Sequence, residues 1–353
     1  MALSRRTLLR TVLGIGISAI AIWILAQSVD VARTLDVLRT ANPAWILLML
    51  GTVFLDVAAR GARWRSLLAP IKVLPYLRVL GYTYIGYLAN NVLPARLGEL
   101  VRAHALGKGE GVSRPTVLGT VVVERIVDTV IVVGLAAVAV LVLGLGGGVM
   151  STAVLLGAGF VALLVVGLFV AMISHRLPGA ERVIVVAERY PRLLELGRRL
   201  RAGLAVAGNP RTVARALLFS AAAWTASIAT FMAAGRAVGI ELSIGQGALL
   251  SSGVALVTIV PSAPGYVGTF ELTAVEIAKL FGADPDAAFA MALLAHAMIL
   301  LVTSVGGVVA ALRLGVGLET GADDEARSRE ATERDAVPRA DAAPGTTGSG
   351  TGS

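Results

Sequence analysis

Apolar residues run along this chain in long blocks parted by short charged segments, and the block lengths predict helices that cross a bilayer. A spanning helix needs roughly 20 apolar residues, and six blocks fit that need, at residues 8–27, 44–66, 117–144, 151–173, 213–236 and 287–313. Two other apolar segments, 79–93 and 243–260, run into broken stretches, Asn90 to Glu99 and Pro261 to Glu271. Each stretch carries Pro-x-x-x-Gly (Pro94 to Gly98, Pro264 to Gly268, the latter also with Gly265) and a glutamate just beyond. Proline removes a backbone donor and glycine relaxes the backbone, so helices stop there. Broken helices in matching halves of a membrane protein point to a transport site.

Charge orients the blocks. Arg5, Arg6 and Arg10 precede the first one and place the N-terminus in the cytoplasm. That block is read as a retained span, because it is long for a signal sequence and Ala26-Gln27-Ser28 is a poor cleavage site. Arg60, Arg63, Arg65, Lys72 and Arg78 form a cytoplasmic cluster, and residues 174–215 hold nine arginines against three glutamates. The sides stay consistent only if 79–93 and 243–260 do not cross, so both are expected to be re-entrant hairpins, entering from opposite sides. The expected fold is an all-α polytopic membrane protein, with six full spans plus two re-entrant helical hairpins in an inverted repeat. Its transmembrane domain is placed at 1–316, and 317–353 is expected to be a disordered cytoplasmic tail. Within the domain, 177–209 reads as a cytoplasmic amphipathic insert interrupted near Pro191. There Val183, Val186, Tyr190, Leu193, Leu200 and Leu204 recur at helical spacing, with Arg182, Arg189, Arg192, Arg198, Arg199 and Arg201 between them.

Composition agrees with a membrane protein. The 353 residues are 56% hydrophobic and 15% charged, with a mean hydropathy of +0.80, whereas soluble domains hold about a quarter charged residues. Without cysteine, the chain has no disulfide framework, thiol catalysis or thiolate metal site. The three histidines, His104, His175 and His296, are too scattered to suggest a metal cluster, and neither metal nor cofactor is expected. The pI near 10.4 comes from arginines between spans, which fits anionic lipid better than nucleic acid.

Ionisable groups at membrane depth are costly and face a partner or a cavity. Asp56 and Arg60 sit one helical turn apart and are expected to pair. Arg96, Glu99 and Arg102 are spaced to stack along the helix returning from the first break, and Glu124 shares a face with Asp128 while Arg125 projects to the side. These groups suit either hairpin anchoring or capture of a lipid phosphate, for which an arginine fork is well shaped. Asn90 and Asn91 suit a headgroup or a helix cap. Near the second break, Ser262, Tyr266 and Thr269 offer neutral contacts and Glu271 a carboxylate, with Glu276 and Lys279 following. His296 is expected to be a hydrogen-bonded core residue, and Trp23, Trp45 and Trp64 interfacial anchors.

Together, Asn-x-x-Leu-Pro-x-Arg-x-Gly-Glu from Asn90, then Arg102, Val123-Glu124-Arg125-Ile126-Val127-Asp128 and Pro264-Gly265-Tyr266-Val267-Gly268-Thr269-Phe270-Glu271 resemble the signature segments of the lysylphosphatidylglycerol synthase transmembrane-region family. The resemblance covers about residues 8–315 and implies a flippase-like, lipid-handling domain, with Asn90, Arg96, Gly98, Glu99, Arg102, Glu124, Arg125, Asp128, Gly265, Gly268 and Glu271 as carry-over positions. No soluble synthase domain follows them, so lipid aminoacylation by this chain alone is not expected.

The leading expectation is therefore a non-enzymatic lipid translocase of a prokaryotic inner membrane, with both termini cytoplasmic. It would hold an anionic phospholipid or polyisoprenyl phosphate in a basic cavity between the hairpins. The headgroup candidates are Asn90, Arg96, Glu99, Arg102, Glu124, Arg125, Asp128 and Glu271, and no residue is assigned as catalytic. Two rivals stand beside it. One is a membrane-embedded lipid-phosphate transferase or phosphatase using Glu124 and Asp128 as acid and base. The other is a scaffold for a glycan- or lipid-modifying enzyme.

Overall fold

The computed structural model describes residues 5–93, 97–145, 147, 149–173, 191–258, 260 and 262–316, and the account below concerns the compact unit Met1–Leu314. Among the described residues there are helices and turns and no strand. In chain order the helices are α1 Arg5–Ala26, α2 Val31–Arg39, α3 Pro43–Leu68, α4 Tyr76–Val92, α5 Gly98–Glu110, α6 Arg114–Val142, α7 Val149–Ile173, α8 Pro191–Leu204, α9 Pro210–Ala237, α10 Ile244–Val257, α11 Thr269–Lys279 and α12 Pro285–Leu314.

The series α1–α6 is matched by α7–α12. Each half has a long helix, a short polar one, a second long helix, two shorter helices and a third long one. Local sequence explains the matching starts. α3 and α9 each begin at Asn-Pro, where Asn42 Oδ1 accepts from Ala44 N at 3.0 Å and Asn209 Oδ1 from Arg211 N at 3.0 Å. Proline fits the first helical turn because its missing N–H has no partner to lose there.

Packing repeats as well. α3 and α9 lie antiparallel, held by Asn42 N to Ala237 O at 2.8 Å, Thr52 with Thr230 at 2.9 Å and Arg63 Nη1 to Ser220 Oγ at 3.0 Å. α12 runs along α4, where Gly306 and Gly307 meet Tyr84 and Leu88. Correspondingly, α6 runs along α10, where Ala139 and Val140 meet Ala248 and Leu249.

The shorter helices form two hairpins. α5 returns against α4, with Gly98 pressed on the Gly86 carbonyl and Gly109 on the Tyr82 hydroxyl. α11 returns against α10, with Ile277 over Gly253. The second break is a single tight turn, Pro264–Tyr266, and Gly268 then opens α11 at φ 86°, a region that an L side chain rarely enters. The breaks meet: Gly265 faces the Asn91 carbonyl, and Asn91 Nδ2 donates to Thr303 Oγ1 at 2.9 Å and Ser304 Oγ at 3.0 Å on α12. α1 seats against the second break, where Ser18 Oγ accepts from Ala263 N at 2.9 Å. Pro94, Arg96 and Pro261 lie outside the described residues.

Among the described residues, fewer helices than the expected six are long and apolar enough to cross. α3, α6, α9 and α12 are long and apolar enough to cross, and α1 with α2 makes a fifth only if a pair bent by 83° counts as one. The bend follows from Asp30, whose carboxylate accepts from Ala32 N at 2.8 Å and so caps α2 as a new helix. The described apolar run in α7, Leu155–Gly167, and α10 are shorter. Of the insert expected at 177–209, the structure describes residues from Pro191 on. Val183, Val186, Tyr190, Arg182 and Arg189 lie outside it, as does the tail 317–353. α8 lies on α6, with Gly203 against the Thr116 carbonyl and Gly119 against Leu200 and Gly203.

Gly98→Ala forces a methyl group into the Gly86 carbonyl and the Asn90 side chain. Overpacking of that kind costs about 1–3 kcal/mol, so the variant should unfold at a lower temperature than wild type in detergent. An equal midpoint would show that α4 and α5 are not in backbone contact.

Candidate functional site

A cavity of about 300 Å³ lies where the hairpin breaks meet the long helices. α3 contributes Asp56 and Arg60, α4 contributes Tyr87, Asn90 and Asn91, α5 contributes Glu99 and Arg102, and α6 contributes Arg125 and Asp128. Opposite stand Trp224, Ser227, Thr230 and Phe231 of α9, Ser251 and Thr258 at α10, and Tyr266, Phe270 and His296. The arginines and carboxylates of the lining come from the first half, and neutral residues come from both.

Behind the charged wall sits an ion network centred on Arg63, whose side chain is 0% exposed. Its Nη1 donates to Asp128 Oδ1 at 2.7 Å and to Ser220 Oγ at 3.0 Å, and its Nη2 to Glu124 Oε1 at 2.8 Å. Arg102 Nη2 takes the other Glu124 oxygen at 3.0 Å, while its guanidinium lies 4.5 Å over the ring of Trp64. Trp64 is itself buried and donates to Thr120 Oγ1 at 3.2 Å. Arg60 holds Asp56 at 2.9 Å and reaches Asp128 Oδ2 at 3.3 Å. Trp224 Nε1 donates to Asp128 Oδ1 at 3.1 Å. Buried charges persist only when paired and hydrogen-bonded in this way.

Arg125 differs from the rest, with its side chain 43% exposed. Nη2 donates to Glu124 Oε1 at 2.9 Å and lies 3.4 Å from Asp128 Oδ2. Nη1 stands 3.9 Å from Glu99 Oε1, beyond hydrogen-bond length. A guanidinium presents five N–H donors in a planar fork, so this edge can still receive an anion. Glu99, 25% exposed, is the carboxylate beside it with most access to water.

The second break carries a different arrangement. Glu271 Oε2 accepts from Gly268 N at 2.7 Å, and Oε1 lies 2.5 Å from Nδ1 of His296. The imidazole stacks on Phe270 with centroids 4.1 Å apart. The first break is closed by the same device with another residue, Gly98 N donating to Asn90 Oδ1 at 2.8 Å.

These positions sort the candidates. Asn90, Glu99, Arg102, Arg125 and Asp128 line the cavity, whereas Glu124 and Glu271 stand behind it, tied to Arg63, Arg102 and Arg125 and to Gly268 and His296. Asn90 closes a helix break, and Asn91 ties α4 to α12. Lys279 pairs with Glu276 at 2.9 Å, away from the cavity lining. His296 is the buried, hydrogen-bonded residue expected of it.

Four expectations change. Arg63 belongs to the buried network and is no part of a cytoplasmic charge cluster. Trp64 is 0% exposed and anchors no interface, in contrast to Trp23 at 65%. Arg125 turns back onto Glu124 and Asp128, because opposite charges at 2.9 and 3.4 Å outweigh its nominal helix face. The cavity is also not basic among its described lining residues: Arg60, Arg102 and Arg125 are balanced by Asp56, Glu99 and Asp128. The centrality of Arg63 went unread, although Asp56, Arg60 and Arg63 follow the i, i+4, i+7 spacing of one helix face. Among the described residues no three His, Asp or Glu side chains are placed to hold a metal ion.

The two arginines make opposite predictions. Arg63→Met strands Glu124 and Asp128 in the core, a loss of about 3–5 kcal/mol for breaking a buried pair. Arg125→Met, at a half-exposed position, should cost less than about 1 kcal/mol. Denaturant titration in mixed micelles separates them, and equal losses would contradict the division between network and cavity edge.

Known proteins are similar to this chain in sequence. The Glycosyltransferase AglD of Haloferax volcanii is 28% identical over 90% of this chain and 57% of its own length. A UPF0104 membrane protein of Methanocaldococcus jannaschii is 30% identical over 33% of this chain and 35% of its own. The chain thus spans little more than half, and about a third, of these two relatives. The name of the first corrects the expectation of a non-enzymatic protein, since it points to an enzyme-related role. Residues 11–307, both halves and both breaks, match the profile of the lysylphosphatidylglycerol synthase TM region, and the chain is a multi-pass membrane protein belonging to that family.

Proposed function

We propose that this chain handles a lipid phosphate as the membrane part of an enzyme-linked process, binding the anionic headgroup in the cavity between the two hairpins. The observation that carries this reading is Arg125: half-exposed at the cavity edge, held at one side by Glu124 and Asp128, and faced at the other by Glu99 at 3.9 Å, beyond hydrogen-bond length. A lipid phosphate docks against Nη1 on the side of the cavity lined by Asn90 and Arg60. Because the described lining is balanced in charge, an incoming phosphate adds a negative charge. Glu99 is the carboxylate of the lining that faces Arg125, while Glu124 is engaged by three arginines and Glu271 by His296.

The matching series of helices supports translocation. In this reading α1, α3, α6, α7, α9 and α12 are the six spans, α4–α5 and α10–α11 enter from opposite faces without crossing, and the two halves form an inverted repeat. Broken backbone at membrane depth is tolerated where protein or a wet cavity surrounds it, and both breaks border the cavity. Rocking of the halves about the antiparallel α3–α9 pair alternates access to it. Both termini lie in the cytoplasm of a prokaryotic cell, and α8 lies at that face of the inner membrane.

The relative named as a glycosyltransferase favours coupling of this step to glycosyl transfer on a lipid carrier. Use of Glu124 and Asp128 as an acid–base pair fits the geometry less well, because both are bound by arginines and Glu124 is buried.

Purified protein in liposomes should bind and flip a fluorescent polyprenyl phosphate. Arg125→Ala should weaken binding by at least about tenfold, the worth of a charged hydrogen bond. Equal binding by wild type and variant would remove Arg125 from the site.

A further inference from the structure

The second break holds a titratable pair that the binding of a phosphate leaves unused. The Glu271 side chain is 7% exposed, and among the described residues no lysine or arginine pairs with it. Its Oε2 accepts from Gly268 N at 2.7 Å, and its Oε1 lies 2.5 Å from Nδ1 of His296. An ionised carboxylate only accepts, so Nδ1 carries the hydrogen and Nε2 keeps a lone pair. Phe270 covers one face of the imidazole, but Nε2 has no hydrogen-bond partner among the described residues. His296 lines the cavity and Glu271 does not, so the ring stands between the carboxylate and the cavity. At the matching place in the first half, Arg102 binds Glu124 at 3.0 Å, and a guanidinium keeps its proton. Histidine as a residue type changes charge between about pH 5 and 8. Without a second proton the Glu271–His296 pair bears one negative charge inside the protein; with it, an imidazolium faces a carboxylate and the pair is neutral.

We infer that Glu271 and His296 form a proton-binding site linked to the ligand: as a lipid phosphate enters the cavity, Nε2 of His296 takes a proton from cavity water, with Glu271 ionised behind it. This rests on the lipid-phosphate reading above and adds the proton as a second ligand. The lone pair of Nε2 becomes an N–H bond, solvent supplies the proton, and no bond of the lipid forms or breaks. The cause is electrostatic. The described lining is balanced in charge, so an added anion stands uncompensated, and in a medium of low dielectric it attracts a positive charge strongly. The other charged or titratable groups that border the cavity are Asp56 with Arg60, Glu99 and Asp128 with Arg125, Arg102, and the phenols of Tyr87 and Tyr266. Each of these carboxylates already has an arginine within 4 Å, arginines are charged throughout, and a phenol holds its proton at neutral pH. The imidazole is the group with a proton to gain.

The test is calorimetric binding of a short-chain polyprenyl methyl phosphate to the full chain in nanodiscs, in two buffers of different ionisation enthalpy. The difference in heat counts the protons taken up per lipid bound, and the probe, a diester, does not itself titrate near neutrality. Wild type should take up about half a proton or more at some pH between about 6 and 8. Its affinity should fall as pH rises through that range, because uptake on binding and tighter binding at lower pH are one linkage. His296→Gln, whose amide can still donate to Glu271, should bind without uptake and with an affinity nearly independent of pH. The count is taken per bound lipid, so unfolded protein does not dilute it. Glu99→Gln should keep the wild-type count whatever its affinity, and it decides the matter if His296→Gln does not bind. Binding without uptake in wild type, an equal count in His296→Gln, or loss of the count in Glu99→Gln would overturn the proton site and leave the phosphate reading standing. No binding of the probe by wild type at any pH would end both.

Discussion

The burial of Arg63 is the constraint on which the rest of the structure depends. A guanidinium with no exposure to solvent is tolerable only if carboxylates and hydrogen bonds replace its water. Glu124 and Asp128 of α6 and Ser220 of α9 do so from two directions. This fixes the depth at which α3, α6 and α9 pass one another, and Arg102 then ties α5 to the same carboxylates through Glu124. With two carboxylates already serving three buried or nearly buried arginines, Arg125 reaches them from outside and keeps part of its fork at the cavity edge.

The two halves share a layout but not a chemistry. Their helices follow one order, and their contacts pair α4 with α12 as they pair α10 with α6. In both, the glycine that starts the returning helix gives its N–H to a side-chain oxygen, Asn90 in one and Glu271 in the other. In both, an ionisable residue binds that helix to the long helix after it: Arg102 to Glu124, and Glu271 to His296. Yet the first half carries the cavity's arginines and carboxylates, while the second lines it with hydroxyls and rings. A scaffold of this kind holds two hairpin tips together and leaves each wall free to carry a different chemistry.

Much of this was legible from spacing. The Pro-x-x-x-Gly breaks located both hairpins, because a missing donor and a permissive φ act locally. Asp56 with Arg60 and Glu124 with Asp128 were readable because partners a turn apart share a helix face. The pairing of Arg63 with Glu124 was not, since it joins residues 61 positions apart and depends on how two helices cross. Counting Arg63 among cytoplasmic charges, and Trp64 among interfacial anchors, treated the end of α3 as a membrane surface when it is protein interior. The sign of the cavity misled for another reason: each lining arginine has a lining carboxylate on its own helix, Arg60 with Asp56, Arg102 with Glu99 and Arg125 with Asp128, so the lining balances although every one of these residues was visible.

The central claim is that a lipid phosphate occupies the cavity edged by Arg125. The absence of native cysteine permits a direct measurement: Ser227→Cys, on the cavity wall, labelled with a small methanethiosulfonate reagent in nanodiscs with and without polyprenyl phosphate. The account predicts that labelling slows several-fold when the lipid phosphate is added, and that a cysteine in place of the exposed Arg39 of the short polar helix α2 labels at an unchanged rate. Equal slowing at both positions, or none at Ser227→Cys under saturating lipid, would contradict it.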